Sequence, residues 1–447
     1  MPSSLQSGLL RRIVLGYTVN RLGTWFGFVA LSVAVYDHTH QTLAVAALLL
    51  CGQVLPAFVT PILVAHVERS KRRGELSGLY FFEALTSGLL IVVLKSHFEL
   101  VAVLVLVALD GTASLAASAL LRTGAARAAR EWARTLPSPE LDDERRHELE
   151  IDAERRANAA INIGFAITFV LGPAIAGVAV AGIGAADTLL IDLGSFLACG
   201  LLLLDLRPPS DDAEEASVRE RLSAAWNYIR EERTLARLLL VEGVALAFFE
   251  FSPPIEVAYA KASLHAGDGG YGLLLGTWGL GVAAGSIVFA RSAERSLGLL
   301  LSASTLAIGV SYIGWAASPT LAIACGAGVV GGVGNGMQWA ALISAVQRIT
   351  PESLHGRMMG AAESIGAISP GIGFALGSAI VALSNPRVAF LVAGVGASAT
   401  TLAFARMHIT TRTRAADPDP ASTSAPPSQP EQSESPTAPS PTGPVQI

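Results

Sequence analysis

The candidate chemical groups of this sequence are ionisable side chains that interrupt long apolar stretches. Glu250 lies between the apolar segment VEGVALAFF and Pro253-Pro254, and Asp110 lies in an earlier apolar stretch. An ionised group in hydrocarbon is costly, so it normally faces a partner or water. A carboxylate beside a proline-broken helix could take up and release a proton there. Glu250 is therefore the first proton-coupling candidate and Asp110 the second; binding of a cationic substrate or capping of the broken helix is the alternative.

Arg21 is the third coupling candidate, as a partner of Asp110. If the first apolar span covers 12–36 and the fourth covers 98–121, the helical rise places Arg21 about 14 Å and Asp110 about 17 Å from the same membrane face. These depths agree within the reach of an arginine side chain, so we predict an Arg21–Asp110 ion pair. A structural pair that never titrates stays open as the alternative.

The elements that must position these groups are membrane-spanning helices. A span needs roughly 20 apolar residues, and this chain is 51% hydrophobic and only 15% charged, with 44 glycines. Its apolar stretches are continuous rather than alternating, which favours helices over a barrel. We predict an all-α membrane protein with twelve transmembrane helices in two six-helix halves and the lipid bilayer as a partner. The predicted spans are 12–36, 42–66, 76–95, 98–121, 158–182, 185–206, 236–260, 270–290, 297–317, 319–343, 358–383 and 386–405.

The chain divides into four parts. We predict a six-helix half at 1–206 with a charged cytoplasmic loop at about 127–156, a linker with an amphipathic helix at 207–235, a second six-helix half at 236–406, and a disordered Pro/Ser-rich tail at 407–447. The external loops hold few basic residues when both termini are placed in the cytoplasm. The external basic residues are then Lys95, Lys261 and Arg387.

Several functional classes lack a sequence signal. The chain has no phosphate-binding loop of the GxxxxGK[ST] type and no visible nucleophile–His–acid set, so we expect no enzyme, no cofactor and a proton gradient as the energy source. His38 and His40 lie without a neighbouring cysteine or acidic cluster, so we expect no metal site. The acidic net charge of −5 does not indicate nucleic-acid binding. We expect a monomer that acts on a small molecule.

Several segments resemble the major facilitator superfamily, in particular its macrolide-efflux and enterobactin-exporter branch, over roughly residues 10–405. The most specific is VQRITPESLHGRMMGAAESIGAISPGIG, in which Pro351, Gly356 and Arg357 stand on matching positions. Other matching segments are RRIVLGYTVNRLGTWFGFVALSVAVYDHTH, LLRTGAARAAR, ANAAINIGFAITFVLGPAIAG and RLSAAWNYIREERTLARLLL. The resemblance implies two halves that expose a central cavity to each side of the membrane in turn.

The resemblance also implies roles for particular residues. Spans one, four, seven and ten would line the cavity, which gives the substrate-cavity candidates Asn20, Trp25, Ser114, Phe249, Asn335, Gln338 and Trp339. The loop between the second and third spans would act as a gate, with Glu68, Arg69, Arg72, Arg73 and the later Arg357. This loop departs from the family pattern, since Val64 and Lys71 replace two glycines.

A Gly-Pro step in the fifth span is typical of exporters of the superfamily. The helix-break and packing residues are Gly172, Pro173, Gly177 and, in the eleventh span, Pro370. The alternative is that the step only kinks and packs the helix. We therefore predict a proton-coupled exporter of a small amphipathic compound such as a drug, a siderophore or a secondary metabolite. Uptake or facilitated diffusion of a polar solute, and a non-transporting scaffold or sensor, stay open.

Overall fold

The structure, a computed structural model, describes residues 8–70, 74–135, 143–204, 233–292, 294–350 and 355–405. The described residues form twelve helical spans joined by short connections. Eleven helices are long and apolar enough to cross a membrane, and the twelfth, within span 11, has a shorter described apolar part, Ser369–Leu383.

The first six spans make up the N-terminal half. Span 1 is Gly8–Thr39, span 2 is Thr42–Leu49 followed by a π-helical turn Leu50–Val54 and by Leu55–Ser70, span 3 is Glu75–Ser96, span 4 is Leu100–Arg134, span 5 is Asp143–Ile183 and span 6 is Ala185–Leu202.

The other six spans make up the C-terminal half. Span 7 is Arg233–Phe249 followed by Ser252–Ala258 and a π-helical turn Tyr259–Ser263, span 8 is Gly267–Ala290, span 9 is Leu297–Ala317, span 10 is Leu321–Ile349, span 11 is His355–Leu383 and span 12 is Pro386–Ala405. The helix break of span 7 falls where two prolines remove backbone donors, and the second segment begins with them in its first turn.

The two halves share one apolar core at one end of the bundle, which we call the Lys261 end. Buried side chains of both halves meet in a single cluster there, among them Val33, Tyr259, Tyr271 and Trp315. Lys261 of span 7 pairs with Asp37 of span 1 and, at 2.6 Å, with Asp268 of span 8.

Hydrogen bonds between buried residues also join the halves at the Lys261 end. The Ser378 hydroxyl donates to the carbonyl oxygen of Thr42 at 3.1 Å, which ties span 11 to span 2. This end therefore combines apolar packing, charge pairing and hydrogen bonds across the boundary between the halves.

At the opposite end, which we call the Arg122 end, each half keeps its own core among the described residues. One buried cluster contains only side chains of the N-terminal half, such as Tyr17 and Leu120, and another contains only side chains of the C-terminal half, such as Leu301 and Ala341. Within the N-terminal half, Arg122 donates to the Tyr17 hydroxyl at 2.7 Å.

The charged stretch 127–156 continues spans 4 and 5 beyond the apolar part of the bundle. These helices have 35 and 41 residues, about 52 and 62 Å, whereas the hydrocarbon core is about 30 Å thick. Arg130 and Arg134 pair with Glu154 and Glu150, each at 2.8 Å, and join the two extensions. Nearly all of the linker 207–235 and the tail 407–447 lie outside the described residues.

Candidate functional site

A cavity of about 540 Å³ lies inside the bundle, mostly against the N-terminal half. Spans 7 and 11 of the C-terminal half close one side of it. The polar part of its wall consists of Arg21, Thr24, Gln53, Ser87, Asp110, Ser114, Ser118, Asp192 and Glu250. The aromatic part consists of Trp25, Phe28, Phe165, Phe169, Phe196 and Phe374. This volume and composition suit one small molecule with an apolar body and a few polar groups.

Three carboxylates of the N-terminal half meet beside this cavity. Asp110 of span 4 and Asp192 of span 6 are in the wall, and Glu83 of span 3 lies behind them, fully buried. Span 3 supplies the donors: the Thr86 hydroxyl donates to Asp110 at 2.6 Å and the Ser87 hydroxyl donates to Asp192 at 3.1 Å. Because successive residues of one helix hold two acids, span 3 fixes the relative position of spans 4 and 6.

Part of the hydrogen-bonding capacity of this cluster is unused within the described structure. Neither carboxylate oxygen of Glu83 makes a hydrogen bond of ordinary geometry, although Ser114 lies beside it, and Oδ1 of Asp192 has no partner. The nearby buried groups Asn20 Nδ2 and Tyr80 OH are also unpartnered. Unpaired buried polar atoms are costly, so such a cluster is prepared for a ligand, a proton or water.

The predicted Arg21–Asp110 ion pair does not form among the described residues. Both side chains line the cavity, but Asp110 accepts from Thr86, and the Arg21 guanidinium lies over the Phe165 ring, 5.3 Å from its centroid. Similar depth along two helices does not determine the direction in which each side chain leaves its helix, so the two residues share a cavity wall without pairing.

Glu250 lies in the cavity wall at the break of span 7, beside Pro253. Span 11 approaches it closely, because a Cβ placed on Gly373 would lie 2.4 Å from the Cβ of Glu250. The neighbouring acids of span 7 have other surroundings: Glu256 accepts from Ser252, and Glu242 accepts from the Gln338 amide at 3.1 and 3.2 Å. Among these three acids, Glu250 alone contributes to the wall.

Of the seven substrate-cavity candidates, Trp25 and Ser114 line the cavity and the other five do not. Gln338 and Trp339 of span 10 are turned away, the former toward Glu242 and the latter outward with 47% of its surface exposed. Phe249 packs against Trp278 and Tyr312 inside the C-terminal half. The last two candidates, Asn20 and Asn335, also lie outside the wall. No residue of span 10 lines this cavity, whereas spans 2, 3, 5, 6 and 11 supply wall residues.

Sequence reasoning missed Asp192, Glu83 and Ser87. These three residues lie on spans 3 and 6, whereas the wall residues predicted from the sequence lie on spans 1, 4, 7 and 10. The available signal was the rule already used for Glu250, since an acid within an apolar stretch needs a partner or a cavity. Applied to every span, this rule would have selected Glu83 and Asp192 as well.

The Gly-Pro step of span 5 lies in a continuous helix that packs on two neighbours. A Cβ on Gly172 would lie 2.5 Å from the Trp25 ring, and one on Gly177 would lie 2.4 Å from the Cα of Gly272 in span 8. Pro173 lies within the helix Asp143–Ile183, and Pro370 lies likewise within His355–Leu383.

The proposed gate lies outside the described residues, because the side chains of Glu68, Arg69, Arg72, Arg73 and Arg357 are not among them.

Comparisons with known proteins agree with this architecture. Residues 251–441 match the sequence model of the Major Facilitator Superfamily. The fold is similar to that of the nucleoside transporter NupG, with a TM-score of 0.70 and 12% identity over 90% of this chain and 99% of that one. It is also similar to an inward-facing bacterial homologue of the iron transporter ferroportin, with a TM-score of 0.64 and 17% identity over 89% of this chain and 98% of that one.

A third similar structure is a POT family transporter in complex with 5-aminolevulinic acid, with a TM-score of 0.64 and 12% identity over 88% of this chain and 94% of that one. No curated protein sequence matches this chain. The fold is that of the major facilitator superfamily. The sequence match to the family lies in residues 251–441, and eleven of the described helices are long and apolar enough to cross a membrane.

Proposed function

We propose that this protein is a proton-coupled exporter of a small amphipathic compound, working by alternating access in the inner or plasma membrane with both termini in the cytoplasm. The observation that carries the proposal is a cavity with acidic and aromatic walls, bordered by both halves of the bundle. In this arrangement a bound compound contacts the two bodies whose relative motion would change its access.

The packing at the two ends of the bundle supports a conformation in which the cavity is accessible from one end only. The halves share a core at the Lys261 end, whereas the described residues of the Arg122 end form separate cores. The distribution of arginine and lysine favours a cytoplasmic Arg122 end. The conformation is then closed outside and available from inside, which is the state in which an exporter takes up its cargo.

Proton coupling is assigned to Glu250 and Asp110, with Arg21 as a charge in the same cavity. A proton moving through the membrane yields about 2.3 kcal/mol per 100 mV, enough to drive accumulation of the exported compound on the other side. Export rather than uptake is supported by the Gly-Pro step of span 5 and by the resemblance to the macrolide-efflux and enterobactin-exporter branch. The bilayer and the small molecule are the partners of a monomer that needs no cofactor.

The test uses the full chain in proteoliposomes with an imposed pH gradient. A panel of neutral, anionic and cationic amphiphiles is offered, and we expect at least one to move against the direction of proton flow. Protein-free liposomes are the control. Movement of the compound along with the protons would instead indicate uptake, and no movement of any compound under a gradient would favour the non-transporting scaffold.

A further inference from the structure

The acidic wall of the cavity indicates the charge of the compound that it holds. Asp110, Asp192 and Glu250 are in the wall, and Arg21 is the wall's basic residue. Glu83 adds a fourth carboxyl directly behind Asp110 and Asp192. With all groups ionised the wall carries an excess of negative charge. The low dielectric constant of the surroundings strengthens the interaction of that charge with a bound ligand.

Arg21 offsets only one of the negative charges of the wall, and its guanidinium contacts none of the carboxylates directly. It lies over the Phe165 ring and forms no ion pair with the described acids of the cavity. Asp192 is 4% exposed and keeps Oδ1 without a partner in the described structure, while the Ser87 hydroxyl holds Oδ2. A fixed carboxylate with one free oxygen in a cavity wall is a ready acceptor for a charged donor.

The unfilled acceptor and the aromatic side chains are both complementary to an organic ammonium ion. An ammonium group has several N–H donors and is attracted to carboxylates and to the faces of aromatic rings. The described residues include no group of three metal-ligating side chains in a metal-binding arrangement, so the geometry does not favour a divalent metal ion. The cavity volume of about 540 Å³ also exceeds the needs of a bare ion.

We propose that the cavity selects lipophilic organic cations and that Asp110 and Asp192 hold their ammonium group, with the aromatic side chains around the apolar body. This inference rests on the proposed transport function and names the substrate class of the same cavity. Asp192, supplied by span 6 and held by Ser87 of span 3, is the main contact for the cation. Glu83 lies behind the two aspartates, and its negative charge adds to the electrostatic attraction of the cation.

The first test compares ligands on the unmodified full-length protein in lipid nanodiscs. Tritiated 4-phenylbutylamine is displaced by the unlabelled amine, by 4-phenylbutanol and by 4-phenylbutyrate, which share one apolar skeleton and differ in charge. We expect the alcohol to require at least a tenfold higher concentration than the amine and the carboxylate to compete least, since charge-assisted hydrogen bonds are the strong ones. Equal displacement by the amine and the alcohol would overturn the proposal.

The second test identifies the contact. Asp192→Asn is expected to weaken amine binding at least tenfold and to leave alcohol binding unchanged within about twofold. The matched control is Asp187→Asn, which changes an acid on the same span that pairs with Lys95 at the bundle surface. Asp187→Asn is expected to bind the amine like the unmodified protein. If Asp192→Asn elutes as a monodisperse peak and still discriminates amine from alcohol, the assignment is wrong.

The binding and transport assays separate this inference from the proposed function. If proteoliposomes export a neutral or anionic amphiphile and the amine shows no preference in binding, the substrate class is refuted and export stands. If the amine binds with the expected preference but no compound is moved, the assignment of the cavity stands and the proposed function fails.

Discussion

Gly177 of span 5 and Gly272 of span 8 pack backbone against backbone across the boundary between the halves. A Cβ placed on Gly272 would lie 2.5 Å from the Cα of Gly177 and 2.9 Å from the carbonyl oxygen of Pro173. No real side chain tolerates such distances, so the two helices approach this closely because both positions are glycine. The contact lies in the Gly-Pro region that the sequence analysis connected with export.

Gly272→Ala should therefore separate spans 5 and 8 and lower the thermal stability of the purified protein by a few degrees, since overpacking typically costs about 1–3 kcal/mol. Differential scanning fluorimetry in detergent measures this shift. Gly269→Ala is the matched control, because its new Cβ would meet only Ala181 at 3.7 Å, an ordinary contact. Equal melting temperatures for the two variants would show that the glycine contact carries no packing constraint.

The Glu242–Gln338 pair gives a second prediction on stability. Gln338→Ala leaves a fully buried carboxylate without its amide donor, and an unsatisfied buried acceptor costs about 1–3 kcal/mol. We expect a lower melting temperature for Gln338→Ala and recovery of most of it in the double variant Glu242→Leu/Gln338→Leu, in which both polar groups are removed. A double variant that is less stable than Gln338→Ala would contradict this account.

The fold was predictable from the sequence because the apolar length of a membrane-spanning helix does not depend on how the helices pack together. Apolar length determines whether a helix can span the membrane, and the predicted spans agree with the described helices to within a few residues for most of the chain. The three proton-coupling candidates chosen from the sequence, Arg21, Asp110 and Glu250, all lie in the wall of one cavity. Depth along a helix follows from counting residues, and counting is reliable in a straight span.

The rotation of each helix about its axis was not predictable in the same way. Consecutive residues leave a helix about 100° apart, so Gln338 can be buried against Glu242 while Trp339 faces outward. An apolar stripe normally identifies the inner face, but spans that face both lipid and protein are apolar all round. Asp192 was missed for a related reason, because its partner Ser87 lies on another span and no local pattern joins them.

Lys261 gives a third prediction, on the access of the cavity from the Lys261 end. It pairs with Asp37 of the other half, so Lys261→Met should weaken the contact between the halves and expose the cavity more often from that end. The measurement is the labelling rate of a single cysteine, Leu31→Cys in the cavity wall, by an impermeant maleimide in a background without the native cysteines. We expect an increase of about threefold or more, as for the loss of one partly exposed ion pair.

The control for Lys261→Met is Lys95→Met. Lys95 lies at the same end of the bundle and pairs with Asp187, but both residues belong to the N-terminal half, so this pair does not join the halves. Its loss should leave the labelling rate unchanged. If both variants label at the rate of the unmodified protein, the charge pair does not contribute to closure, and the apolar cluster and the Thr42–Ser378 hydrogen bonds hold that end alone.

Glu250 gives the fourth prediction, which separates proton coupling from substrate binding. Glu250→Gln keeps the size and polarity of the side chain at the break of span 7 but removes its ability to release a proton. We expect export driven by a pH gradient to fall at least tenfold in proteoliposomes, while exchange of labelled for unlabelled substrate, which needs no net proton movement, persists.

The matched control is Glu256→Gln on the same span, whose amide oxygen can still accept from Ser252 and which lies outside the cavity wall. Retained gradient-driven export by Glu250→Gln would move the coupling role to Asp110, whereas loss of exchange as well would show that Glu250 is needed for substrate binding or for the motion of the halves.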